Sequence, residues 1–540
     1  MSAMELNLKS ITENSIEWEE KGYVLPKFDI KQVTENTKKN PVWVHFGAGN
    51  IFRAFQANLM QRLLDAGITG TGIVAVDGFD YEIISKNYRP HDNLSIAVTL
   101  KSDGNIEKKV IASIAETCIL DSENEIEYNR LKEIFRCPAL QTATFTITEK
   151  GYAICDAKGD VMPFVKYDFD NGITAPKSYM GKVTSLLYER YLCGAYPIAM
   201  VSNDNCARNG EKLFDAVIAY AAKWEEKGFV KKGFTDYLSD PKKVSFPWTM
   251  IDKITPRPDK DVEKILEKDG LNLTPVITSK NTYVAPFVNA EESEYLVVED
   301  MFPNGRPALE KAGVIFTDRE KVTRVERMKV CTCLNPLHTA LAVFGCLLGF
   351  TKISDEMKDP GLVRLIKEIG YKEGLPVVTD PGIISPKEFI DTVVNIRIPN
   401  PFMPDTPQRI ATDTSQKLSV RFGETIKAYQ KSDTLSVKDL KKIPLVFAGW
   451  LRYLFGVNDN GDTFELSPDP MIPELKKYIN EFKLFDMPDF DTTIKILSPI
   501  LKNKNIFGVD LFEVGMAEDV TKMFIRMSSE KGAVRREIEL

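Results

Sequence analysis

Lys329, Asn335 and His338 fall within ten residues of one another, in the run Glu326-Arg327-Met328-Lys329-Val330-Cys331-Thr332-Cys333-Leu334-Asn335-Pro336-Leu337-His338. Between them they offer a proton donor or acceptor, an amide able to hold an oxygen, and an imidazole able to orient a hydroxyl. A lysine in water titrates too high for acid–base work near neutral pH, so the chemistry asks for one set among apolar neighbours. Lys329 has Met328 and Val330 on either side. Asn335 followed by Pro336 reads as the N-cap and first residue of a helix, which would put His338 one turn inside the same helix start. Singly, each has an ordinary alternative: a surface lysine, a cap, a packed core histidine. Their clustering is what points to chemistry. His338 with Cys331 and Cys333 does not read as a zinc site, because a Cys-x-Cys pair with one nearby His lacks ligand spacing and the chain has 3 His in all. No metal is expected.

A second constellation lies near the N-terminus. The short apolar run Pro41-Val42-Trp43-Val44-His45-Phe46 ends in Gly47-Ala48-Gly49. Residues 51–66 then repeat apolar positions at helical spacing up to Gly67, and residues 72–77 form a second β-prone run ending in Asp77. Strand, glycine turn, helix, strand and acid make the βαβ unit that binds dinucleotides. Gly47 and Gly49 would let the backbone approach a pyrophosphate at a helix N-terminus. Asp77 would accept ribose hydroxyls and repel the extra phosphate of NADP, so NAD is the expected cofactor. Phe52 stands where the common fingerprint has its third glycine, which leaves a plain strand–helix turn as the competing reading.

The elements that must carry these residues follow from the rest of the pattern. Further strands are expected at residues 94–100, 109–114, 142–148, 196–202 and 313–317, and beyond about residue 320 the spacing is mainly helical, broken at Arg397-Ile398-Pro399-Asn400-Pro401. The expectation is an α/β protein: a Rossmann-type NAD-binding domain over residues 1–322, then a mainly α-helical C-terminal domain over 323–540 that carries the Lys329 to His338 segment. The chain's 540 residues allow at least two domains, and 43% hydrophobic with 27% charged residues is ordinary globular composition. A formal charge of -7 leaves no basic excess for a nucleic-acid backbone. The uncharged run at residues 330–351 has membrane length but holds Asn335, Pro336 and His338, so it reads as a buried core helix and no membrane partner is expected. Residues 1–10 lack the basic start and apolar core of a secretory signal, and 8 dispersed Cys suit reduced thiols. Both point to the cytoplasm.

Taken in chain order, the sequence carries Gly47-Ala48-Gly49 with Arg53, Thr148-Glu149-Lys150-Gly151-Tyr152, Asp204-Asn205 with Asn209-Gly210, and Phe246-Pro247-Trp248-Thr249-Met250-Ile251-Asp252-Lys253-Ile254-Thr255-Pro256. The segment from Lys329 to His338 follows, then Arg397 to Thr406 and Ser415-Gln416-Lys417. With these motifs the chain resembles the long-chain polyol-specific dehydrogenases, the mannitol dehydrogenase family, which also includes hexuronate reductases. The resemblance implies Lys329 as the catalytic acid–base group, Asn205 and Asn335 as the amides that hold and polarise the reacting oxygen, and His338 as the substrate-orienting histidine. It implies Asp252 near sugar and nicotinamide, Glu326 as a proton relay, and Arg397 and Lys417 as cations reaching the substrate. Cofactor contacts are implied at Gly47, Gly49, Asn50, Ile51, Phe52, Asp77, Thr148 and Glu149. The implied assembly is a monomer or weak homodimer. Because Arg397 and Lys417, with Arg409, could pair with a carboxylate, reduction of a ketohexuronate, fructuronate to mannonate, is the expected reaction. Oxidation of mannitol to fructose and reduction of tagaturonate are the alternatives, and a non-catalytic NAD sensor is the reading from another class. Two departures stand out. Five residues separate Lys329 from Asn335 where the family has four, so one must be absorbed as a bulge or tighter turn. Asn50-Ile51-Phe52-Arg53-Ala54-Phe55 also lacks the histidines that often flank this arginine in relatives.

Overall fold

Runs such as Trp43-Val44-His45-Phe46 and Ile73-Val74-Ala75-Val76 are apolar on both sides of the strand, the pattern of a parallel sheet covered by helices. In the computed structural model, which describes residues 4–156 and 158–540, both become fully buried strands. They belong to a sheet of six strands, all parallel, in the order Ile114–Ile119, Ile73–Asp77, Trp43–Phe46, Thr142–Phe145, Ile198–Ser202, Val244–Ser245. Numbered along the chain within this sheet, the order is 3-2-1-4-5-6, that of the Rossmann fold. Val44, Phe46 and Val74 pack into the core on one face, Trp43, Ile73 and Ala75 into that on the other.

A four-stranded mixed sheet is built from Tyr23–Val24, Ile106–Ile111, Ser95–Leu100 and Phe287–Glu291, and a three-stranded one from Thr249–Asp252, Tyr295–Glu299 and Ile315–Thr317. Residues 109–114 are therefore not one strand as expected. The chain leaves the four-stranded sheet at Ile111 and enters the Rossmann sheet at Ile114. The joint is fixed by Gln61, whose side-chain oxygen accepts the Ala112 amide at 2.9 Å, and by Ser113, whose hydroxyl donates to the Ala57 carbonyl at 2.6 Å. The residues that meet at the joint, Val110-Ile111-Ala112 on one side and Ile114-Ala115 on the other, are apolar, so periodicity shows no seam. The helix after the glycine turn opens with a π turn at Phe52–Gln56, continues as Ala57–Asp65, and closes at Gly67, φ +67°, with the Ile68 amide reaching the Leu63 carbonyl at 2.9 Å.

The chain divides into two compact units, Met1–Val322 and Thr323–Leu540. Among its described residues the second has no strand. The helix Arg319–Leu348, 30 residues long with its apolar stretch mostly buried, starts in the last four residues of the first unit and runs on into the second. This helix changes pitch at a π turn, Lys329–Cys333, where the Leu334 amide bonds the Lys329 carbonyl five residues back at 3.1 Å. A helical stretch does start here, as Asn-Pro suggested, but one residue earlier than expected: Leu334, φ −128°, is the N-cap and Asn335 the first helical residue, followed by Pro336. The physical reason for the π turn is Pro336, which has no N–H to give and whose ring would strike a carbonyl in a regular α-turn. The wide turn just before it moves that carbonyl away. Further π turns lie at Glu368–Gly374, Val393–Arg397 and Ser419–Gly423. Farther along the long helix, Gly345 lets Glu356 come close: a Cβ at Gly345 would overlap the Glu356 carboxyl oxygen.

Candidate active site

In the first unit the candidates stand just past the C-terminal ends of parallel strands, where a Rossmann sheet opens to its ligand. The strand order reverses between Trp43–Phe46 and Thr142–Phe145, and the glycine turn sits at that point. Gly47 has φ +104°, and a Cβ there would overlap the Thr146 carbonyl oxygen of the neighbouring strand's loop. Packing alone therefore demands glycine. Gly49 differs, because a Cβ on it would meet nothing within 4 Å. The missing side chain leaves open space before the helix start, the room a pyrophosphate needs to meet the free amides there.

Asp77 holds this turn in place. Its Oδ1 accepts the Phe79 and Asp80 amides at 2.9 and 2.7 Å, and its Oδ2 accepts the Ala48 amide at 3.2 Å. Burial raises its pKa while those amides work against the rise. Oδ2, with one amide, keeps a lone pair for a ribose hydroxyl. Two residues on, the Phe79 side chain is 66% exposed, a ring face suited to a base. Asn50 accepts from the Arg53 guanidinium at 2.8 Å, and the same buried guanidinium donates to the Ala285 carbonyl at 2.6 Å. Arg53 thereby ties the turn to the strand region before Phe287. Ile51 is half-buried, and Phe52 is fully buried with its ring stacked on His45 at 4.2 Å. The Phe52 backbone, not its side chain, is what a cofactor could reach. His45 is held neutral, burial taking its pKa down to about 3.

Thr148 has φ +64°, a strained conformation for a β-branched residue. Asp204 imposes it: one carboxylate oxygen accepts the Thr148 amide at 2.8 Å, the other the Ile147 amide at 3.1 Å and the Tyr152 hydroxyl at 2.5 Å. Glu149 is exposed and ion-paired with Lys212. Asn205 follows Asp204 at an exposed position of the loop. Asn209 fastens that loop, its amide donating to the Asp204 carbonyl at 3.0 Å and to the Thr249 hydroxyl at 2.8 Å, while its oxygen accepts the Thr249 amide at 3.0 Å. The Asn205 loop is thereby tied to the strand Thr249–Asp252, on which Asp252 is 5% exposed.

In the second unit Lys329 opens the π turn and is 5% exposed, with half-buried Glu326 one turn earlier on the same helix. The extra residue between Lys329 and Asn335 is taken up by this turn. A π turn fits one more residue into a single revolution than a plain α-turn does. His338 lies one turn beyond Asn335, its Nε2 3.9 Å from Asp405. Burial takes the His338 pKa down to about 4, Asp405 pulling it up while Arg397, Arg421 and Arg409 push it further down. The imidazole is neutral at neutral pH. Arg397 ends the π turn Val393–Arg397 and is 4% exposed. Arg409 is ion-paired with Asp405, and the Lys417 ammonium donates to the Thr412 carbonyl. The Lys417 pKa is lowered by burial and by Arg421 and Arg409, against the pull of Asp413 and Asp469. Arg421, on the π turn Ser419–Gly423, donates to the Thr339 hydroxyl, which donates in turn to the Asn335 carbonyl at 2.9 Å.

The second unit thus gathers His338, Arg397, Arg409 and Lys417, as the sequence reading proposed, and adds Asp405 and Arg421, to which that reading gave no role. Arg421 had a local signal, four residues after Lys417 on one helical face. In the first unit the positioning roles of Asp204 and Asn209 and the exposure of Phe79 rest on partners and packing far away in sequence.

The chain matches the mannitol dehydrogenase Rossmann domain over residues 42–311 and the mannitol dehydrogenase C-terminal domain over residues 321–524. It is 52% identical over 539 residues to a D-mannonate oxidoreductase of Thermotoga maritima, covering 99% of this chain and 98% of that one. Among solved structures it is similar to a D-sorbitol dehydrogenase in substrate-free form, with a TM-score of 0.77 and 25% identity over 95% of this chain and 97% of the other. It is also similar to the mannitol 2-dehydrogenase of Pseudomonas fluorescens in a ternary complex with NAD and D-mannitol, with a TM-score of 0.69 and 25% identity over 99% of both chains. Both family domains, in order and with their motifs in place, place the chain in the mannitol dehydrogenase family of oxidoreductases acting on CH–OH groups.

Proposed function

We propose that this chain is an NAD-dependent hexuronate oxidoreductase that interconverts fructuronate and mannonate. The observation that carries the reading is the set of cations, Arg397, Arg409, Lys417 and Arg421, gathered about a neutral His338 one helical turn from Asn335. A neutral polyol gives such a cluster nothing to neutralise, whereas a uronate brings a carboxylate. The name of the Thermotoga maritima relative supports the same substrate, and the ternary complex of the Pseudomonas enzyme supports NAD. The open space at Gly49 and the free lone pair on Asp77 suit that cofactor, with Asn50, the backbone of Ile51 and Phe52, and the Thr148–Glu149 loop around it.

When bound, the reduced nicotinamide supplies a hydride to the carbonyl carbon. The Lys329 ammonium gives its proton to the carbonyl oxygen, and Asn335 offers an amide N–H that stabilises the charge growing there. His338, neutral, orients a neighbouring hydroxyl, and Glu326 passes a proton between Lys329 and water. We place the protein in the cytoplasm as a monomer or weak homodimer.

Following NADH oxidation with fructuronate, tagaturonate and fructose side by side, with NADPH as the cofactor control, tests the reading. Fructuronate with NADH is expected to give the highest kcat/KM. Preference for fructose would make the cations hydroxyl donors, and absence of turnover with all three would favour a non-catalytic sensor.

A further inference from the structure

We propose that Arg421 is the group that takes the substrate's carboxylate and so sets the preference for a uronate over a neutral ketose. The inference rests on the hexuronate reading above and names the residue that enforces it. Of the cations about His338, Arg409 is already neutralised by Asp405, and Lys417 feels the carboxylates of Asp413 and Asp469. Arg397 is 4% exposed at the end of its π turn. Arg421 is different. Its guanidinium is partly buried and donates to a neutral group, the Thr339 hydroxyl. Among the described residues no carboxylate pairs with it, and burial alone draws its pKa down to about 10. Desolvating a guanidinium without a counter-charge is costly, and a carboxylate arriving with the substrate would offset that cost. The planar fork has five N–H donors, one of which goes to Thr339, so a bidentate grip on a carboxylate remains within its geometry.

The spacing fits as well. Thr339 bonds back to the Asn335 carbonyl, so Arg421 hangs from the same helical turn that presents Asn335 and His338. One turn advances about 5.4 Å along the axis. In fructuronate four C–C bonds separate the ketone carbon from the carboxyl carbon, and at about 1.5 Å each the extended chain spans about 5 Å. The extended substrate, from its ketone to its carboxylate end, is thus about as long as the helical turn from Asn335 to Thr339, the residue to which Arg421 is bound. In fructose that end is a neutral hydroxymethyl group, which cannot offset the charge.

The test is steady-state reduction of fructuronate by Arg421→Gln and Arg421→Lys, with NADH affinity by fluorescence quenching and thermal melting as controls. Arg421→Gln is expected to raise KM for fructuronate about 30- to 100-fold, the loss of a charge-assisted pair, while NADH affinity stays within about threefold. Arg421→Lys keeps the charge without the fork and should recover part of the loss, as a purely structural role would not require. If Arg421→Gln does not fold, Arg421→Lys carries the test with an expected rise of about tenfold in KM. An unchanged KM in both variants, or a loss of NADH affinity equal to the loss for fructuronate, would overturn the assignment. Failure of the unsubstituted protein to reduce fructuronate would instead overturn the hexuronate reading, which keeps the two distinguishable.

Discussion

Replacing Glu356 by glutamine should stabilise the second unit, and more so as pH rises. Glu356 ends the short helix Ile353–Glu356, is 0% exposed, and neither of its carboxyl oxygens meets a donor among the described residues. Burial first, and the charge of Asp359 second, push its pKa up from 4.5 to about 9. Between those two values the folded chain keeps a proton that the unfolded chain releases. The stabilisation is complete below about pH 4.5 and is lost as pH climbs toward 9, by about 1.4 kcal/mol per pH unit. From pH 5.5 to 8.5 that amounts to at most about 4 kcal/mol. Glutamine has no such proton, so its buried amide carries a cost that does not vary over this range. A unit of about 200 residues shifts by about 2–4 °C per kcal/mol, so the Tm advantage of Glu356→Gln over the parent should widen by about 8–16 °C across that range. Thermal melts of both proteins in matched buffers measure it. Parallel Tm-against-pH curves would refute the reasoning, since they would mean that Glu356 ionises in the folded chain as readily as in the unfolded one.

Lys329→Met should lower kcat by about 10²–10⁴-fold, the usual worth of a general acid–base group, while NADH binding by fluorescence is retained. The two glycines of the turn should separate cleanly. Gly47→Ala, which drives a Cβ into the Thr146 carbonyl, is expected to cost about 3 kcal/mol or more in a denaturant melt. Gly49→Ala should melt like the parent but bind NADH about tenfold more weakly, because the new methyl takes the pyrophosphate's space. Asp204→Asn turns one of the two acceptor oxygens into a donor, so either the Thr148 amide or the Ile147 amide and Tyr152 hydroxyl lose their acceptor. It should cost about 2–3 kcal/mol and raise KM for NADH, read from melts and steady-state kinetics together.

The Rossmann half is legible because its chemistry and its punctuation coincide: Trp43–Phe46 and Ile73–Asp77 are short apolar runs bounded by glycine and acid. Where two strands abut without punctuation, as across Ala112-Ser113, a single apolar run hides a change of sheet. Asn335-Pro336 marks a helix start to within one residue, but the π turn just before it, closed by a five-residue hydrogen bond, is something no local pattern records. Lys329, His338 and Lys417 show their chemistry by residue type alone. Arg421 does not, since its partner Thr339 lies 82 residues away, and Asp204 reaches its loop across 56 and 57. Such pairings are made by packing, and packing is not written at any one position.

The π turn at Lys329–Cys333 also bears on how this chain should be aligned with others. Because the additional residue is wound into one wide revolution, everything beyond Leu334 keeps its register. An ungapped alignment to any sequence with four residues between its lysine and its asparagine would set Val330, not Lys329, against that lysine. Placing a single gap inside the helix, where alignment penalties are usually highest, restores the match.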